Sequence, residues 1–81
     1  MSSSRENISI IELEGKAIIG LIVDVELEDC SNPSGWKKII ARDRNGTMYE
    51  TKCIEPQAAK RNFLVISSYA SRWSNLIVEN K

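Results

Sequence analysis

Apolar and polar residues alternate with a period of two through much of this chain. From Ala17 to Glu28 it reads A-I-I-G-L-I-V-D-V-E-L-E. Val23, Val25 and Leu27 alternate with Asp24, Glu26 and Glu28, and the same parity runs back through Leu21, Ile19 and Ala17. Strict alternation predicts a half-buried strand. Crowded β-branched residues and Gly20 argue against a helix there. Gly20 then marks a bend or bulge in a long strand. Upstream, Ile11 and Leu13 alternate with Glu12 and Glu14, while Ile8 and Ile10 fall on the other parity. That predicts a strand over Asn7–Glu14, with both faces partly covered or a bulge near Ile10-Ile11. Glu14-Gly15-Lys16 is a turn candidate between the two runs.

The sharpest local signal lies between Trp36 and Pro56. Two β-prone runs meet at Asp43-Arg44-Asn45-Gly46-Thr47. Asp43 suits the start of a type I turn and Gly46 the left-handed position after it, a three-residue hairpin loop. A two-residue turn centred on Asn45-Gly46 is the rival, one residue out of register. The three-residue loop sets Ala41 opposite Tyr49, Ile39 opposite Thr51 and Lys37 opposite Cys53 on a core face. The other face then pairs Arg42 with Met48, Ile40 with Glu50, Lys38 with Lys52 and Trp36 with Ile54.

Asp29–Gly35 is a loop by composition, punctuated by Pro33 and Gly35. After the hairpin, Pro56 suits the first position of a helical turn over Gln57–Arg61. Phe63–Ile66 is a short unbroken apolar run, predicted as a central strand buried on both faces. Tyr69, Trp73, Leu76 and Ile77 fit a helical spacing, whereas Leu76–Val78 alone looks like a strand. The preferred ending is a turn over Ala70–Asn75 and a last short strand.

Composition narrows the class. The chain has 81 residues, with 42% hydrophobic and 27% charged. That suits one small globular domain: a mobile tail over residues 1–6 and a single domain over 7–81. The amino-terminal residues lack the apolar core of a signal peptide and no stretch is long enough to span a bilayer, so a cytoplasmic location is expected. Asn7-Ile8-Ser9 matches a glycosylation acceptor, which has no consequence in that compartment. Cys30 and Cys53 are expected to stay reduced, Cys53 as a small buried hydrophobe.

Charge is zero overall but uneven: −5 over residues 1–35, +4 over 36–61 and +1 over 62–81. Such segregation lets opposite strands pair within one sheet, or leaves patches for a partner. There is no histidine. The usual general base is therefore missing, and neither cysteine has a partner to activate it. No phosphate-cradling glycine loop is present. The chain reads as a non-enzyme with no catalytic residues, no metal ligands and no cofactor.

Short connections, a glycine bend and one helical turn before the late strands predict an all-β fold. The element order resembles a five-stranded SH3-like barrel. An OB-type barrel is second and an α+β sheet with a C-terminal helix third. In such a barrel Trp36, Lys38, Ile40, Arg42, Met48, Lys52 and Ile54 share an outer face of the hairpin. Apolar anchors among basic side chains predict a protein-interaction or self-associating module, binding a partner or forming a homo-oligomer. The alternative is nucleic-acid binding, with Lys37, Lys38, Arg42, Arg44 and Lys52 on phosphates and Trp36 and Tyr49 stacking.

Overall fold

The computed structural model describes residues 5–79, with side chains as far as Arg72. In chain order it contains β1 (Glu6–Asn7), α1 (Ile10–Ile18), β2 (Ile22–Asp29), β3 (Lys37–Asp43), β4 (Met48–Glu50) and α2 (Pro56–Glu79). The strands form one open sheet in the order β1-β4-β3-β2. β1 runs parallel to β4, and the other neighbours are antiparallel. The fold is α+β. The predicted SH3-like barrel, and the OB-type barrel behind it, are overturned: β1 and β2 lie at opposite edges and do not meet.

Three predicted strands fall in helices, and the first has a clear local cause. Ser9 caps α1: its hydroxyl accepts from the Glu12 backbone N–H at 3.1 Å, and the Glu12 carboxylate accepts from the Ser9 N–H. This reciprocal box satisfies two otherwise orphaned donors of the first turn. At the other end Gly20 (φ 82°) lets its own N–H donate to the Ala17 carbonyl and the Leu21 N–H donate to that of Lys16. That is a left-handed helix stop, which favours glycine. Gly20 therefore ends a helix instead of bending a strand, and β2 starts only at Ile22. Between the caps, Leu13 and Ala17 fall on one buried face.

The Phe63–Ile66 run lies inside α2. Pro56 opens this helix as predicted, but it continues to Glu79. Ala59, Ile66 and Ala70 face the core, while Leu64 and Val65 stay exposed. A strand buried on both faces would have hidden all four apolar residues; helical periodicity hides half. The predicted turn and short strand over 70–78 are likewise helix, which realises the helical part of the third-ranked alternative. At the other end of the chain, Glu6 already belongs to β1.

Both helices cover one face of the sheet. Leu13, Ala17, Ile22, Ile39, Ala41, Tyr49, Ile66 and Ala70 form the core, with Val25, Leu27 and Phe63 packed against it. The hairpin loop has the three-residue form. The Asp43 N–H donates to the Thr47 carbonyl and the Gly46 N–H to that of Asp43, both at 3.0 Å, with Gly46 at φ 91°. Ala41 pairs with Tyr49, Arg42 with Met48 and Ile40 with Glu50, as predicted.

Past Thr51 the register slips by one residue, so that Lys37 bridges Ile54. The Ile39 N–H donates to the Thr51 hydroxyl at 3.0 Å, and that hydroxyl donates to the Lys52 carbonyl at 3.0 Å. A side chain thus replaces a ladder acceptor and leaves an extra residue in the strand. The predicted pairings of Lys37 with Cys53, Lys38 with Lys52 and Trp36 with Ile54 do not form. Cys53 instead makes a disulfide with Cys30 (Cα–Cα 6.2 Å), correcting the expectation of two reduced thiols.

Candidate interaction surface

Among the described residues no helix covers the second face of the sheet. Side chains alternate along each strand, so this face carries Asp24, Glu26 and Glu28 from β2, Lys38, Ile40 and Arg42 from β3, and Met48 and Glu50 from β4. The register sets opposite charges side by side. Lys38 Nζ donates to Glu50 Oε1 at 3.0 Å, and Arg42 pairs with Asp24. Arg5 spans β3, reaching Glu28 at 3.0 Å and Glu50 at 3.4 Å. Lys37 pairs with Asp29 at the far end of β2. The acidic and basic stretches of the sequence therefore neutralise each other largely within one sheet.

These contacts move the titrations in consistent directions. The hydrogen bond from Lys38 holds Glu50 below its ordinary value, against the opposing effect of burial; Lys38 charge and Arg5 add to it. The bond to Glu28 raises Arg5, opposed by partial desolvation and helped by Glu50. On the helix-covered face, burial pushes the Asp43 carboxyl up. Hydrogen bonds from the Thr47 N–H, the Tyr49 hydroxyl and the Asn45 N–H outweigh it, and the net shift is downward. Tyr49 shifts upward, first through its bond to Asp43 and then through burial. Asp43 thus organises the hairpin tip, and Arg44 ties that tip to the end of α1 through its Nε–H, which donates to the Gly20 carbonyl at 2.6 Å.

The seven predicted site residues are split up. Ile40, Arg42 and Met48 line one shallow hollow of about 400 Å³ with Asp24 and Glu26. Lys52 and Ile54 line a different one of about 530 Å³ with Asn7, Ile8 and Ile10. Lys38 is engaged by Glu50, and Trp36, 37% exposed, lines neither hollow. Ile40, offered by the sequence as an exposed anchor, is only 1% exposed. Trp73, the other tryptophan, lies outside the residues whose side chains are described.

What stands open is a strand edge. The Cys30 N–H donates to the Trp36 carbonyl at 2.9 Å, which marks a hydrogen-bonded pair in the β2–β3 register. Stepping by two, Glu28, Glu26 and Asp24 turn their backbone groups toward β3. Those of Val25, Leu27 and Asp29 turn away from it, along the edge of the sheet. Beneath that edge a hollow of about 230 Å³ runs between Val23 and Val25 and the small residues Ser67, Ala70 and Ser71 of α2. The sequence signal for this edge was the acidic row itself, since charged side chains commonly guard exposed edges.

Among the described residues no three His, Cys, Asp or Glu side chains group as a metal site, and no helix is long and apolar enough to cross a membrane. Comparison with models of known families, with curated proteins and with solved structures finds no match to this chain.

Proposed function

We propose that the protein is a non-enzymatic interaction domain that docks an extended segment of another protein along the free edge of β2. The observation that supports this is an eight-residue edge strand with outward backbone groups above an adjoining hollow. Strand addition uses such an edge for affinity and the flanking hollows for selectivity. Val25→Pro tests it. Proline at an outward-facing position removes a docking donor without breaking the ladder to β3. The variant keeps its circular dichroism and loses a bound strand peptide; unchanged peptide binding would refute edge docking.

Nucleic-acid binding has weaker support. Lys37, Lys38 and Arg42 each face an acidic partner, and the Arg44 Nε–H is used by Gly20. Of the five basic residues, the Lys52 side chain alone lacks a protein partner among the described residues. The Cys30–Cys53 bridge favours an oxidising compartment over the cytoplasm. Alkylating free thiols before lysis, followed by mass spectrometry, should recover the two cysteines linked and unmodified; alkylated cysteines would return the protein to a reducing compartment.

A further inference from the structure

We infer that the strand accepted by β2 is basic: Lys or Arg at alternate positions on one face, apolar residues of modest size on the other. This rests on the edge-docking reading above and specifies its partner. A strand added to β2 extends the sheet, so its side chains continue the two existing faces. On the open face they come beside Asp24, Glu26 and Glu28. Asp24 and Glu28 each hold one cation already, yet their side chains remain 65% and 43% exposed. Glu26 has no cationic partner among the described residues. Opposite charges directly across a ladder stabilise it, and like charges destabilise it. On the helix-covered side, incoming side chains lie beside Val25 and Leu27, above Ser67, Ala70 and Ser71. The hollow, lined also by Val23 and Asp24, leaves room there for a side chain of modest size; Val25 and Leu27 supply the apolar neighbours.

Parity excludes a second copy of β2 as the occupant. In an antiparallel pair, outward residues must oppose outward residues, so Val25, Leu27 and Asp29 of one copy would face the same set in the other. Every such register also sets Asp24, Glu26 and Glu28 against one another. Acidic side chains would then face acidic side chains, offset only by the Arg42 and Arg5 cations that Asp24 and Glu28 already hold. The chain's own basic strand, β3, is already paired on both sides. The other edge strand, β1, spans only two residues, so a basic strand of a different protein is the occupant that fits.

The test uses the whole chain and labelled peptides of about eight residues, the length of β2, alternating Lys-Val, Thr-Val or Glu-Val. Fluorescence anisotropy should show Lys-Val binding about tenfold tighter than Thr-Val, as the gain from three cross-strand charge pairs. Glu-Val should not bind, and added salt should weaken Lys-Val. Bound Lys-Val should slow amide exchange at Val25 and Leu27, with Glu26, which faces β3, little changed. Glu26→Lys should reduce Lys-Val binding and raise that of Glu-Val. If Lys-Val and Thr-Val bind equally and Glu26→Lys changes neither, the basic partner is refuted while edge docking stands. If Lys-Val binds but the Val25 and Leu27 amides stay unprotected, or folded Val25→Pro binds it equally, edge docking fails and takes this inference with it. Binding of none of the three peptides would overturn both.

Discussion

Ile39 and Ile40 are neighbours on β3, hidden almost equally and by different means. Ile39 is fully buried in the core beneath α1 and α2, with Leu13, Ile22 and Ile66. Ile40, on the other face, is just as inaccessible with no helix above it. Glu26 and Glu50 flank it in register, and Arg5 reaches across the strand from Glu28 to Glu50. The aliphatic stems of long charged side chains can shield an apolar residue while their heads stay wet. An apolar residue set among charges on an uncovered face is therefore not free surface. Once those charges pair, that face offers little apolar surface, and the proposed docking falls to the backbone at the sheet edge.

The sharpest way to break the comparison is to truncate each isoleucine. Ile39→Ala should cost about 3–4 kcal/mol in urea unfolding, because two packed helices hold its cavity open. Ile40→Ala should cost about half as much, since mobile charged stems can settle into the gap. Equal losses would mean that the two faces are packed alike.

Removing the Cys30–Cys53 bridge by paired serine substitution should cost about 3 kcal/mol, given a separation of 23 residues. It acts mainly on the unfolded chain and should leave the difference between the two isoleucine variants intact. A changed difference would locate its effect in one face.

Acid separates the faces by the nature of their bonds. Asp43 and Glu50 are both depressed below their ordinary values of 3.8 and 4.5. A depressed carboxyl stabilises the fold above its unfolded value, and that contribution is lost as pH falls through the lower folded one. Unfolding midpoints should therefore drop as pH falls below about 5, and Asp43→Asn and Glu50→Gln should each flatten the fall. High salt should shrink the Glu50 part, which rests on Lys38 and Arg5. It should spare most of the Asp43 part, which rests on buried and part-buried hydrogen bonds from uncharged donors. Equal salt sensitivity would contradict this division.

The smallest effect is expected for Arg5→Ala, under about 1 kcal/mol and fading in salt, as for most exposed ion pairs. Its more telling readout is Ile40, whose neighbouring amides should exchange faster if Arg5 helps to seal it.

The hairpin register from Ile39 to Thr51 was legible in the sequence because Asp43, Gly46 and Thr47 settle it through contiguous dihedrals and short hydrogen bonds. The helix over Ile10–Ile18 reads as strand in the sequence, although Ser9-x-x-Glu12 and Gly20 mark its two ends. Alternation and β-branched propensity point the other way there, and both are weaker than a pair of satisfied caps. Phe63–Ile66 carried no such marker, and a four-residue apolar run suits a strand or a helix equally. Which face the helices cover, whether Cys30 meets Cys53, how Ile40 is sealed and which edge stays open were decided only in three dimensions. Each depends on residues far apart in sequence whose contacts exist only after the chain has closed on itself, whereas caps and turns are complete within a few consecutive residues.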